Sequence, residues 1–328
     1  MGGDYAPLEI VRGAVAYARG DDKAQILLVG DRSLVQELLA DDTPPNVFVV
    51  PASQVIAMDE HPTQAVQEKP DASLVVGARM VREGAADATF SAGNTGAVLF
   101  AAIRLLERVP GVKRPAIATP FPTETGGRAL VVDAGANIDC RASHLFQFAL
   151  LGSVYAHKVM RIERPRVGLL ANGEEETKGN ELSREAYALL KNSPLNFVGN
   201  VEGNHVFEGG VDVVVCDGFV GNVLLKASEG VVRLTLGLLA EDAQREPDEA
   251  IREALLRSLL KMRQRVDYSE FGGAPLLGVN GVSFIAHGRS DAKTIATGIR
   301  LAVEATRANY VGAMREALAG GAAAEAQA

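Results

Sequence analysis

The chain has 328 residues and carries 33 Lys plus Arg against 41 Asp plus Glu, a net charge of −8. That length fits about two domain-equivalents or one large α/β unit. With 47% hydrophobic and 23% charged residues it has material for a packed core, which excludes disorder over most of its length. The acidic balance excludes a general nucleic-acid binder, two cysteines are too few for a disulfide framework, and no apolar run reaches the ~18 residues that span a bilayer.

In chain order, Met1-Gly-Gly-Asp4 lacks a basic region followed by an apolar one and does not read as a signal peptide. Gln25-Ile-Leu-Leu-Val-Gly30 predicts a buried strand, with a helix over 33–40 and a second strand at 47–50. Residues 72–83 place Leu74, Val75, Ala78 and Val81 on one helical face. A strand at 87–90 leads into a helix over 95–108. Strands at 129–133, 166–170 and 211–216 follow, with helices over 143–158, 181–191 and 221–239. Continuous Val, Leu and Ile strands between helices predict an α/β fold whose mostly parallel sheet is buried on both faces.

From 229 to about 268 the alternation stops, and Pro247 divides the segment into a helical hairpin. Its second half sets Ile251, Leu255, Leu256, Leu259, Leu260 and Met262 at helical spacing. Five cations there (Arg252, Arg257, Lys261, Arg263, Arg265) outnumber three acids (Asp248, Glu249, Glu253). The plainer reading packs this helix on its own core or on a dimer partner. The sharper one lays it on anionic lipid. Residues 1–318 read as a single unit, and the low-complexity end, 319–328, is expected to fray.

Polar, glycine-rich segments fall just after the predicted strands, where open α/β sheets bind ligands. Ser91-Ala-Gly-Asn-Thr-Gly96 combines close backbone approach at Gly93 and Gly96 with free helix N–H groups and the Asn94 and Thr95 side chains. A capped turn fits it equally well, and it is neither a Walker loop nor a dinucleotide fingerprint. Asp133-Ala-Gly-Ala-Asn137 can orient a ligand or close an Asx-type turn. In Asn172-Gly-Glu-Glu-Glu-Thr-Lys-Gly-Asn180, contiguous acids suit a solvated loop better than a metal site, and Lys178 is the informative cation. Cys216-Asp-Gly-Phe-Val-Gly-Asn222 sets Asp217, Gly218 and Asn222 near Lys226, or is a plain helix cap. Phe271-Gly-Gly-Ala-Pro-Leu-Leu-Gly278 precedes His287-Gly-Arg-Ser290, where His287 is a candidate general base or phosphate donor beside Gly288 and Ser290. These features together indicate an anion-handling α/β enzyme.

The same segments, with Met1-Gly-Gly-Asp-Tyr-Ala-Pro7, Arg114-Pro-Ala-Ile-Ala118 and Gly199-Asn-Val-Glu-Gly203, carry a resemblance. Over about residues 1–310 the chain resembles the bacterial acyl-acyl-carrier-protein:phosphate acyltransferases, the PlsX family. The resemblance implies transfer of a long-chain acyl group from acyl carrier protein to inorganic phosphate. The acyl phosphate then feeds a downstream glycerol-3-phosphate acyltransferase and phospholipid synthesis. It further implies a three-layer α/β/α fold like that of isocitrate and isopropylmalate dehydrogenases, a homodimer, no metal or other cofactor, and a cytoplasmic enzyme peripherally attached to the inner face of the cell membrane. Family members carry a short apolar strand ending in Asp-Ala ahead of Met-Gly-Gly-Asp, which is expected to be missing here. Leu170-Ala-Asn-Gly173 departs from the family's Leu-Asn-Ile-Gly, so Asn172 is not carried over.

A thioester has a good leaving group, so the chemistry needs a held phosphate and a stabilised oxyanion rather than a strong acid. Lys178, Asp217, Lys226 and His287 are the catalytic candidates. Asp4, Ser91, Gly93, Asn94, Thr95, Gly96, Asp133, Asn137, Gly218, Asn222, Gly288 and Ser290 are the substrate- and phosphate-binding candidates. Arg252, Leu255, Leu256, Leu259, Leu260 and Arg263 are expected to meet membrane or carrier. A covalent route through Cys140 or Cys216 is the less simple alternative. The rival readings are a dehydrogenase on the same fold and a membrane-recruited scaffold.

Overall fold

The computed structural model describes residues 1–39, 43–266 and 272–325. Ala40, Asp267 and Phe271, at the ends of expected segments, lie outside them, as do 326–328.

The strands are β1 (Ile26–Gly30), β2 (Val47–Pro51), β3 (Ala88–Ser91), β4 (Ala116–Pro122), β5 (Arg128–Val132), β6 (Arg166–Leu170), β7 (Asn196–Val201), β8 (Val213–Val215), β9 (Ala274–Leu277) and β10 (Val282–Ile285). Eight of them form one sheet in the order β3-β10-β9-β4-β5-β8-β6-β7, while β1 and β2 pair separately. Pairings β1–β2, β3–β10, β5–β8, β6–β8 and β6–β7 are parallel; β9–β10, β4–β9 and β4–β5 are antiparallel. The sheet is thus mostly parallel, and its antiparallel centre joins two parallel blocks that run in opposite senses.

The apolar runs become strands because both sheet faces are covered. Leu130, Val131 and Val132 of β5 and all of β8 have no exposed surface. Helix α6 (Ala142–Lys158) covers β5 and β8 on one side, with α7 (Glu181–Lys191) and α12 (Tyr310–Glu325) packed on α6. On the other block, α11 (Ala292–Arg307) lies over β3 and β10, and α4 (Ser73–Arg82) and α5 (Thr95–Leu105) reach the same strands. This is the expected three-layer α/β/α architecture. The low-complexity end expected to fray is helical as far as Glu325.

Several elements escaped the sequence reading, among them β7 and the short helices α3 (Pro62–Glu68) and α8 (His205–Glu208), while α2 (Arg32–Leu39) is the helix expected over 33–40. Helix α1 (Leu8–Gly20) packs along α11 and buries Val11, Ala14 and Ala18. Strand β4 contains Pro120 and Pro122, residues that argue against a central strand. They are tolerated because β9 pairs only with Ala116 and Ile117, which leaves the proline half of β4 an open edge on that side.

The hairpin is present, and its first helix is longer than expected. Helix α9 (Gly218–Arg245) packs against α10 (Glu249–Val266), with Pro247 between them. α9 leaves Val231, Leu234 and Leu238 exposed, and α10 leaves Ile251, Leu255 and Leu260 exposed. The stripe is therefore not covered by the chain's own core.

A cavity of about 510 Å³ lies between β1 and β3. Consecutive residues of both strands line it, among them Ile26, Leu28, Ala88 and Phe90, with Met1 also at its wall. Among the described residues neither strand has a backbone partner on that side.

Candidate functional site

The candidate residues fall into three groups, each at the carboxyl end of a strand.

The first surrounds the ends of β3 and β10. Asn94 caps α5: its Oδ1 accepts the Ala97 N–H at 3.0 Å. Its amide nitrogen donates to the carbonyls of Ala57, Met58 and Glu60 at 3.1–3.3 Å. Asn94 is buried and its polar atoms are occupied. It fastens the 57–60 loop to the start of α5. Thr95, the first residue of α5, is exposed. Gly96 is required by contact, since a Cβ there would lie 2.6 Å from Pro62 Cγ. Ser91 Oγ accepts the Gly93 N–H at 3.2 Å. The Asp4 N–H donates to the Gly288 carbonyl at 2.8 Å, and the Asp4 carboxylate lies 3.5 Å from Arg289 Nε. Asp4, Ser91, Gly93 and Gly288 thus share one wall, because a Cβ on Gly3 would touch both Ala92 and Gly288. His287 is exposed, its Nδ1 accepting the Arg289 N–H at 3.3 Å, while Ser290 is buried.

The second group joins the loop after β5 to the start of α9. Asp133 is fully buried. One carboxylate oxygen accepts the N–H groups of Ile117, Gly135 and Ala136, and the other accepts the N–H and side-chain amide of Asn137. Burial pushes its pKa up, against these hydrogen bonds. Asn137 also donates to the Pro115 carbonyl at 2.7 Å. Asp133 and Asn137 therefore build the loop, the geometry of the Asx-type alternative. α9 is jammed against them through glycine. A Cβ on Gly218 would meet Asn137 N and O at 2.7–2.8 Å, and one on Gly221 would lie 1.9 Å from the Asp133 carbonyl oxygen. Asp217 caps α9 through the Val220 N–H at 2.9 Å. Asn222 faces Gly135 and is exposed. Lys226 is exposed and paired with Glu229 at 2.9 Å.

The third group is the loop after β6. Glu174 lies 3.3 Å from His205, and Glu176 pairs with Lys191 at 2.8 Å, so both acids have partners within the chain. Lys178 packs its stem over Gly173, is exposed, and forms no ion pair among the described residues. β5, β8 and β6 are parallel neighbours, so the second and third groups share one edge of the sheet.

Both thiols sit in this second group and are poor nucleophiles. Cys140 Sγ lies 3.6 Å from the Asn137 carbonyl, and Cys216 Sγ lies 3.5 Å from that of Asp133. Burial, then the Asp133 and Asp217 charges, push Cys140 up to about 11; burial raises Cys216 well above its ordinary value.

Some residues near this group were not singled out as site candidates. His144, in the first turn of α6, accepts the Arg141 N–H at 3.1 Å. Burial first, then the charges of Arg114, Lys113 and Arg141, hold its pKa below the usual histidine range. Arg114 opens a segment quoted for the resemblance, the one signal that marked it.

A family model described as "Fatty acid synthesis protein" matches residues 1–312. A phosphate acyltransferase of Desulforamulus reducens is 48% identical over 319 residues, covering 97% of this chain and 95% of the relative. One of Heliobacterium modesticaldum is 50% identical over 325 residues, covering 98% and 96%. Among solved structures, a phosphotransacetylase from Streptococcus pyogenes superposes with a TM-score of 0.58 at 17% identity, covering 92% and 91%. A branched-chain phosphotransacylase from Enterococcus faecalis superposes at 0.55 and 16%, covering 92% and 96%. A 4-hydroxythreonine-4-phosphate dehydrogenase from Klebsiella pneumoniae superposes at 0.52 and 14%, covering 91% and 95%. The structural likenesses establish the fold, which transferases and dehydrogenases share.

Proposed function

The chain belongs to the fatty acid synthesis protein family, the PlsX family of the resemblance, and on that premise we propose that it transfers an acyl group from an acyl-carrier thioester to inorganic phosphate. The observation that carries this reading is near-full-length identity of 46–50% to relatives named phosphate acyltransferase.

In the proposed reaction a phosphate oxygen attacks the thioester carbonyl, the tetrahedral oxyanion collapses, and the C–S bond breaks. The thiolate leaves and takes up a proton, and acyl phosphate remains. The chain must position phosphate and stabilise developing negative charge. Thr95 and the N–H groups that open α5 are the donors best placed to do so, with Asn222 beside the rigid loop at Gly135. Lys178 supplies an unpaired cation, Lys226 one that must release Glu229, and His287 or Asp217 orients phosphate or the donor arm. Asp133, Asn137 and Asn94 act one step back by holding the loops in place.

The exposed stripe of α9 and α10 supports a homodimer and peripheral attachment to a membrane surface, with Arg252, Arg263 and the exposed leucines in contact. Among the described residues no helix is long and apolar enough to cross a membrane. In this reading the enzyme is cytoplasmic and hands acyl phosphate to a glycerol-3-phosphate acyltransferase.

The test is phosphate-dependent consumption of acyl-acyl-carrier-protein with mass detection of acyl phosphate. Free fatty acid as the sole product, or turnover independent of phosphate, sinks the assignment. Lys178→Ala that leaves both the phosphate KM and kcat unchanged removes that residue from the proposal.

A further inference from the structure

Beside the loop after β5 lies a surface that the proposed chemistry leaves unused. Three cations gather there. The Lys113 N–H donates to Gln147 Oε1 of α6 at 2.8 Å, and Arg141 caps the start of α6. Arg114 adjoins Pro115, whose carbonyl is tied to Asn137 at 2.7 Å. All three side chains are exposed, and none makes an ion pair among the described residues. Asp139 and Asp217 are the acids of the same stretch, so the three cations still outnumber them in a chain of net charge −8.

Apolar side chains adjoin them. The Gly218 N–H donates to the Asn137 carbonyl at 2.7 Å, which holds the first turn of α9 against the same loop. That turn exposes Phe219 (61%) and Val223 (53%), and the loop exposes Ile138 (67%). Large exposed apolar groups beside unpaired cations have the composition of a protein-docking surface. A free phosphate could meet the cations but would leave Phe219, Val223 and Ile138 uncovered. Two cations of α10 are already engaged, Arg257 with Glu253 at 3.0 Å and Arg252 with the Glu246 carbonyl.

We propose that Lys113, Arg114 and Arg141, with Ile138, Phe219 and Val223, form the docking surface for an acidic acyl-carrier domain, seated so that its thioester arm enters beside Asn222 and Gly135. The proposal rests on the reading that the acyl donor is carrier-bound, and charge complementarity commits it to an acidic protein.

The test compares two donors of one acyl group, the acyl-carrier thioester and a small N-acetylcysteamine thioester. In Lys113→Glu/Arg141→Glu, the ratio of kcat/KM for the carrier donor to that for the small donor falls about 10- to 30-fold, and the salt dependence of the carrier KM flattens. Phe219→Ser lowers the same ratio but keeps the salt dependence. Binding of the unacylated carrier, followed by fluorescence anisotropy, weakens in both variants, and this readout stands whether or not acyl phosphate forms. An unchanged ratio with unchanged carrier affinity overturns the proposal. So does an equal loss with both donors accompanied by a raised phosphate KM, which makes the cluster a phosphate site. Wild-type protein that binds carrier but forms no acyl phosphate from either donor would sink the enzymatic reading and leave the surface standing.

Discussion

Replacing Asp133 by Asn separates a building role from a chemical one. The carboxylate accepts five hydrogen bonds at 2.7–3.2 Å, three on one oxygen and two on the other. An amide keeps the three and turns its NH2 against the Asn137 N–H and side-chain amide. Each buried donor left without an acceptor costs about 1–3 kcal/mol, so Asp133→Asn destabilises by about 3 kcal/mol. At roughly 2–4 °C per kcal/mol, the melting temperature falls by about 6–12 °C in scanning calorimetry. Asp133→Ala strands all five donors and falls further. Activity declines along with stability because the loop at Gly135 and the start of α9 lose their common anchor. A variant that melts within 2 °C of wild type yet has no turnover would refute this reasoning and place the carboxylate in contact with substrate.

Gly221→Ala drives a Cβ into the Asp133 carbonyl oxygen and costs about 3 kcal/mol or more by forcing α9 off the loop; a wild-type thermal midpoint would contradict the packing. Cys140→Ala/Cys216→Ala retains turnover within about twofold at a stability cost of about 1 kcal/mol, whereas a dead but folded enzyme would restore the covalent route. His144 has a folded pKa below its unfolded value, so the unfolded chain takes up its proton first as pH falls. Its contribution is intact above pH ~6.5 and declines from there towards the folded pKa. His144→Gln therefore flattens the melting temperature between pH 6.5 and 5, and an unaltered slope would assign the acid sensitivity elsewhere. Leu255→Glu/Leu260→Glu abolishes flotation with anionic vesicles or shifts the dimer to monomer in ultracentrifugation; a protein unaltered in both removes the hairpin as a contact surface.

How much could be read from the sequence depended on how local the cause was. β5 and β8 were legible because strands buried on both faces require unbroken apolar runs, and Val213–Val215 is one. β4 was not, because its prolines are tolerated only by where β9 stops, a tertiary fact. The site loops were found from glycine and amide residues at strand ends. The hydrogen-bond partners inside them were not legible where those partners are distant in sequence. Asn94 answers to carbonyls at 57–60 and Asn137 to one at Pro115, and no local spacing reports either. Gly221 shows the converse, since its contact with Asp133 was invisible although both residues lay in segments already singled out.

The division of the strands into two ladders bears on how the molecule is held together. A hydrogen-bonded ladder resists shear because sliding one strand breaks a row of directional bonds together. Among the described residues β1 and β2 form one ladder and the other eight strands form another, so the two are joined through side-chain packing, chiefly α1 along α11 and α4 against β1. The loop at Asp133 belongs wholly to the larger ladder, because the carboxylate at the end of β5 also holds the Ile117 N–H of β4.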